Sequence, residues 1–157
     1  MVDFLILGNG IALHYNNVFH LVKNKQVRYG ISIVSGFRYF EIPDGYEQYG
    51  TASKEEDGKR YIGVSGVRWI TSLFVQDKKP LKLDHSFRDG YRMFDNINAI
   101  NINKTEDIPG DYFETMGVPI TFLDKWCYNQ FDVIDKTEDA ILDGKLVYTR
   151  ILIRRKQ

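Results

Sequence analysis

The chain opens on a pattern that few folds accommodate. Residues 2–7 form an apolar run that ends in Gly8-Asn9-Gly10. The run is too short for a helix and is bounded by turn residues, so it reads as a buried strand. Ile11, Tyr15, Val18 and Val22 follow at spacings of four, three and four. That spacing predicts one apolar face of a helix ending near Lys25. Strand, glycine-rich turn and helix make half of a βαβ unit, which sets a helix against a sheet.

The period then changes. Gly36-Phe37-Arg38-Tyr39-Phe40-Glu41-Ile42-Pro43 reads as a strand closed by Pro43. Residues 44–59 are polar, carry three glycines and read as an exposed loop. Residues 60–64 and 67–74 read as two strands joined at Ser65-Gly66, a two-residue hairpin turn. On the second strand Val67, Trp69, Thr71 and Leu73 share one face. Residues 76–92 are polar and rich in turns, and 99–102 predict a short strand. Thr121-Phe122-Leu123-Asp124 resembles a helix start with Thr121 as N-cap. Residues 131–134 read as a strand, followed by an acidic loop to Gly144. Residues 146–155 read as a final strand with Val147, Ile151 and Ile153 on one face. The class expected is α+β, a mixed and largely antiparallel sheet with one main helix.

At 157 residues this is a single domain or a partial domain, and 43% hydrophobic residues suffice for a packed core. The formal charge is zero, so no global field draws the chain to nucleic acid. The distribution says more. Residues 4–40 contain Lys23, Lys25, Arg28 and Arg38 and no acid. Residues 145–157 contain Lys145, Arg150, Arg154, Arg155 and Lys156, again without an acid. Folding can gather these segments on one face, or leave them as ordinary solvated surface. One cysteine, Cys127, rules out an internal disulfide framework and suits a reducing compartment. No basic leader precedes an apolar stretch and no run reaches membrane-spanning length, so a soluble cytoplasmic chain is expected.

Few constellations carry chemistry. Gly8-Asn9-Gly10 after a strand invites a dinucleotide reading, but Leu13 stands where a third glycine or alanine belongs. No acid follows before Glu41, so a tight strand–helix turn is favoured. His14 and His20 are six apart and do not stack on a helix face, and no metal site is expected. Cys127 beside Trp126 reads as a core thiol. Basic residues next to aromatics recur, in Phe37-Arg38-Tyr39, Arg68-Trp69 and Lys125-Trp126. Such pairs suit nucleic acid, where rings stack on exposed bases and cations neutralise phosphate. Alternation in a half-buried strand yields the same pairs, and on residue chemistry alone that structural reading is favoured.

Seven blocks occur in a telling order. They are Phe4-Leu5-Ile6-Leu7-Gly8-Asn9, residues 37–43, Val67-Arg68-Trp69-Ile70-Thr71-Ser72-Leu73, Asp95-Asn96-Ile97-Asn98-Ala99-Ile100-Asn101-Ile102, Ile108-Pro109, Met116-Gly117-Val118-Pro119-Ile120-Thr121-Phe122-Leu123 and Arg150-Ile151-Leu152-Ile153-Arg154-Arg155-Lys156. Through them the whole chain resembles the C-terminal half of the EcoRI-type adenine-specific DNA methyltransferases. The resemblance implies part of a Rossmann-like core, with residues 5–7 as the last strand before an antiparallel hairpin and residues 37–42 and 67–73 as closing strands. It implies late core strands and a helix in residues 1–75, and DNA-contacting loops with a closing strand in 76–157. It also implies methyl transfer from S-adenosylmethionine to adenine in double-stranded DNA, within a restriction–modification system. Two family elements are absent here: the glycine-rich cofactor loop, and the Asn/Asp-Pro-Pro-aromatic loop, since prolines 43, 80, 109 and 119 all stand alone. No catalytic or cofactor-binding residue is therefore assigned, and no cofactor is expected to bind this chain alone. Asn9 is placed near the catalytic pocket, with helix capping as its alternative role. Arg38, Arg68, Lys125 and Trp126 are the candidates for DNA contact. The expected partners are DNA and either the missing N-terminal half or a second copy, because an incomplete sheet leaves a strand edge uncovered. The alternative is a non-catalytic nucleic-acid-binding or assembly module.

Overall fold

The structure is a computed structural model that describes residues 2–31, 37–47 and 52–157. The chain divides into two compact units, Met1–Val75 and Gln76–Gln157.

The first unit contains, in order, β1 (Leu5–Asn9), α1 (Asn16–Lys23), β2 (Arg28–Tyr29), β3 (Phe37–Glu41), β4 (Ser53–Glu56), β5 (Lys59–Ser65) and β6 (Val67–Thr71). They form two three-stranded sheets, ordered β1-β6-β2 and β3-β5-β4. The strand β6 is antiparallel to β1 on one side and to β2 on the other, so β1 and β2 run parallel with α1 between them in sequence.

Three expectations are corrected here. The first is the helix, which is not continuous. A 3-10 turn over Gly10–His14 is followed by Tyr15 in extended conformation, and only then by α1. Asn9 Oδ1 accepts from Ile11 N–H at 3.0 Å and starts the 3-10 turn. The break rephases the apolar face, so Leu13, Phe19 and Val22 are buried while Ile11 and Tyr15 are exposed.

The second is the hairpin expected at Ser65-Gly66, because β5 and β6 belong to different sheets. The hairpin lies instead inside the stretch read as a loop. Asp57 and Gly58 have φ of +51° and +70° and join β4 to β5, with Glu56 opposite Lys59 and Lys54 opposite Tyr61. Positive φ at both central residues is the turn that matches strand twist, and Asp-Gly is its usual sequence.

The third is the sheet itself. Strands β1 and β6 share one, as the order of blocks implied, but β3 stands apart with β5 and β4. Gly36, which the strand reading included, lies outside the described residues.

The second unit contains β7 (Ile100–Asn101), β8 (Met116–Pro119), β9 (Phe131–Thr137), β10 (Ile141–Leu142), β11 (Lys145–Leu146) and β12 (Arg150–Arg155). A four-stranded sheet runs β7-β8-β12-β9, parallel only between the first two. Ile151 and Ile153 are fully buried, and the β12–β9 register shifts between Leu152 and Ile153. The expected final strand loses residues 146–149, because Asp143-Gly144 makes a second positive-φ turn that pairs β10 with β11 and takes Leu146 into β11. Thr121 is no N-cap. A 3-10 helix spans Ile120–Asp124, and Pro119, which has no hydroxyl to offer, occupies the cap position. Phe122 and Phe131 meet edge to face at 5.6 Å in the core.

Asp77 holds the turn that precedes β9. Its carboxylate accepts from Tyr128 N–H at 2.9 Å, Asn129 N–H at 3.2 Å, Lys78 N–H at 2.9 Å and the Cys127 thiol at 3.4 Å. Burial alone would raise this carboxyl, but the donors outweigh it and hold it below the usual carboxylate range. A depressed folded-state value means stabilisation that is complete above the unfolded value and fades as pH falls through the folded one. Asp77→Ala is expected to cost about 1–2 kcal/mol at neutral pH, with the gap to the parent closing in acid; urea denaturation at both pH values checks it. Burial also raises the Cys127 thiol, which argues against a nucleophilic role for it.

Candidate nucleic-acid interface

Two of the sequence candidates lie together at one end of the first sheet. Arg68 on β6 is opposite Gly8 on β1, and Asn9 is opposite Val67. Arg68 is half-buried and donates Nη1–H to Val67 O at 3.0 Å. Its stem lies over Gly10, where a Cβ would come within 2.8 Å of Arg68 Cγ and 3.2 Å of the Tyr29 hydroxyl. Tyr29 in turn donates to Gly10 O at 2.6 Å. Gly10 is therefore needed for close side-chain approach. The space that a dinucleotide phosphate would need at this turn is filled, which favours the tight-turn reading of Gly8-Asn9-Gly10 over the dinucleotide one. Asn9 spends its side-chain oxygen on Ile11 N–H, which is the capping role.

Arg38 lies in the other sheet of the same unit, opposite Val64. It is half-buried and donates Nη1–H to Phe37 O at 3.1 Å. Strand alternation puts it on the face of Phe40, Ile62 and Val64, away from Phe37 and Tyr39. That opposite face holds a group the sequence reading missed. Lys54 Nζ sits 5.0 Å from the Tyr39 ring centre and 5.2 Å from that of Tyr61. The rings of Phe37 and Tyr39 lie against Gly63, within 3.2 Å and 3.1 Å of where its Cβ would be. Phe37, Tyr39 and Phe40 all remain exposed. The Asp57-Gly58 turn was the available signal, since a two-residue hairpin fixes Lys54 opposite Tyr61.

In the second unit Lys125 is exposed and ion-paired with Glu106. The lysine's hydrogen bond is the main cause that holds the Glu106 carboxyl below its ordinary range. Trp126 is a core residue, 4% exposed, with Nε1–H donated to Phe131 O at 2.9 Å and its ring edge-on to Tyr128. The Lys125-Trp126 pair thus follows the structural alternative, with the charge in water and the ring inside, and a stacked base has no access to this indole as placed. No group of three or more His, Cys, Asp or Glu among the described residues is arranged to hold a metal ion. No helix among them is long and apolar enough to cross a membrane.

A further feature dominates the first sheet. Strand β1 is at its edge, and Leu5, Ile6 and Leu7 are 55%, 53% and 40% exposed. Consecutive residues of a strand point to opposite faces, so apolar side chains are uncovered on both.

The sequence matches the family described as adenine-specific methyltransferase EcoRI over residues 2–142. It is 38% identical over 164 residues to the type II methyltransferase M.EcoRI of Escherichia coli, covering 98% of this chain and 50% of that protein. It is 32% identical over 186 residues to the type II methyltransferase M.MpnI of Mycoplasma pneumoniae, covering 99% of this chain and 57% of the relative. A third relative, M.MgeORF184P of Mycoplasma genitalium, is 29% identical, again with 57% of its length covered. No solved structure matches. The chain spans about half the length of the curated relatives it matches, and with that match running through nearly all of its residues it belongs to the EcoRI-type adenine-specific methyltransferase family.

Proposed function

We propose that this chain supplies the C-terminal portion of an S-adenosylmethionine-dependent adenine-specific DNA methyltransferase of a restriction–modification system. In this reading it acts on double-stranded DNA, in the cytoplasm, jointly with the half that carries the cofactor and catalytic loops. The observation that carries the reading is the open edge of β1. A run such as Leu5-Ile6-Leu7, apolar on both faces, belongs to the interior of a parallel sheet with layers above and below. Strands β1 and β2, parallel and separated by antiparallel β6, fit the margin of such a sheet. The first unit supplies late core strands, and the second supplies the loops and closing strand that face DNA.

Arg38, Arg68 and Lys125 are the cations assigned to phosphate contact, and Trp126 is assigned to supporting Lys125 from the core. The test is duplex DNA affinity measured against salt concentration. Binding is expected to weaken as salt rises. Arg38→Ala with Arg68→Ala is expected to reduce affinity about tenfold or more and to lower the log–log salt slope by about 2. Unchanged affinity and slope would remove both arginines from the interface. Salt-sensitive DNA binding without methyl transfer, even when the other half is supplied, would leave a non-catalytic binding module.

A further inference from the structure

The second unit contains an open polar cleft of about 300 Å³, lined among others by Asp89, Tyr91, Arg92, Asn101, Asn103 and Asp107. Its walls are held rigidly. The Tyr91 hydroxyl donates to Asp107 O at 2.7 Å, and its ring stacks parallel to Phe87, which stacks on Tyr112 at 4.6 Å. Ser86 and Asp89 form a reciprocal capping box, and Asp111 accepts from both Ser86 Oγ and Phe87 N–H at 2.6 Å.

The amides of the cleft are oriented by a partly buried relay. Arg150 can only donate, and its Nε–H goes to Asn101 Oδ1 at 3.2 Å. Asn101, 8% exposed, must then present its Nδ2, which donates to Asn103 Oδ1 at 3.0 Å. Asn103, exposed at the cleft, keeps its Nδ2 as a donor, and no described residue accepts from it. No described residue donates a hydrogen bond to the Asp107 carboxylate either. Arg92 is ion-paired with Asp143, and the Asp89 carboxylate lies 3.6 Å from His85 Nδ1 and accepts from Ser86 N–H, so the charge left in the cleft is chiefly that of Asp107. An anion such as phosphate is therefore disfavoured. A neutral planar molecule that accepts from an amide and donates to a carboxylate is favoured.

We infer that this cleft receives a single unstacked nucleobase bearing an exocyclic amine. The amine would donate to the Asp107 carboxylate while a neighbouring ring nitrogen accepts from Asn103 Nδ2. Adenine and cytosine carry that pair of groups on their pairing edges, guanine carries its amine beside N3 next to the sugar, and thymine has no amine. The volume sits at the small end of ligand sites and suits one base. The inference deepens the methyltransferase reading and rests on it, since it assigns part of the recognition of DNA sequence to residues 89–107.

The test is titration of the isotope-labelled chain, followed by NMR, with deoxyadenosine, deoxycytidine and deoxythymidine and separately with inorganic phosphate. Deoxyadenosine and deoxycytidine are expected to shift the amide signals of Gly90, Tyr91 and Asn103 saturably at millimolar concentration. Deoxythymidine and phosphate are expected to leave them in place. Asn103→Asp, which swaps a donor for an acceptor, and Asp107→Asn are each expected to weaken binding about tenfold with the spectrum otherwise unchanged. Absence of any response to nucleosides, equal response to thymidine or phosphate, or indifference to both substitutions overturns the inference. Salt-sensitive duplex binding that survives such a result leaves the methyltransferase reading standing. Nucleoside binding without any duplex binding does the reverse.

Discussion

Ile6→Lys is expected to abolish association between this chain and a polypeptide carrying the unmatched half of the Escherichia coli relative. Ile6 is on β1 opposite Ile70 and is 53% exposed, so a lysine there can reach water in the chain alone and should leave its stability nearly unchanged. In an assembly that extends the sheet past β1, the same position is covered. Burying an unpaired ammonium there costs at least about 3 kcal/mol, a hundredfold or more in the association constant. Separate expression, mixing and calorimetry give the measurement, with methyl transfer to duplex DNA as the second readout. Light scattering adds a third, since an uncovered edge also templates pairing between identical chains and the lysine should suppress it. Equal association of parent and variant, or no association at all, would sink the reading of β1 as an interior strand.

Phe122→Ala is expected to be the most damaging truncation within the second unit. Phe122 is fully buried and packs edge to face on Phe131. Removing a buried phenyl ring costs about 3–5 kcal/mol, which takes in both the transfer of the ring and the cavity left behind. That is a large fraction of the ~5–15 kcal/mol that ordinarily holds a domain together. Urea denaturation followed by circular dichroism should show the midpoint of this unit falling by about 2 M. Tyr148→Ala serves as the contrast. That ring is 90% exposed, and its loss should stay within about 0.5 kcal/mol. Similar effects from the two substitutions would mean that the Phe122–Phe131 contact does not organise the core.

What was readable in the sequence follows how local each signal is. The β1 run, β6 and the pair Ile151 and Ile153 were legible as strands because apolar residues in consecutive or alternating positions mark them. The burial expected of β1 was not met, since Leu5, Ile6 and Leu7 are exposed in this chain. Where turn chemistry decides, reading it closely mattered. Asp57-Gly58 and Asp143-Gly144 are both positive-φ hairpin turns, yet each sat in a stretch whose charge suggested a loop. Ser65-Gly66 looked like the same device but links two different sheets, and pairing partners cannot be read from the turn alone. The 3-10 turn before α1 shifted the helical face by making Tyr15 extended, which spacing over residues 11–22 had no means to register. For the site, Lys125-Trp126 shows why adjacency is weak evidence. The same dipeptide serves a wet lysine and a buried indole, and only packing separates the two. The cleft was not legible at all, because Tyr91 and Asp107 meet through tertiary contacts that no local pattern encodes.

The bare margin of β1 has a cellular consequence. A greasy strand with no neighbouring strand along one side among the described residues is a hazard for as long as that side stays open. If the proposed assembly holds, supply of the half that covers this edge sets how much of this chain a cell can keep in solution. Covalent continuity would guarantee a one-to-one ratio, whereas separate synthesis would demand balanced gene dosage, with any surplus left to chaperones, proteases or inclusion bodies.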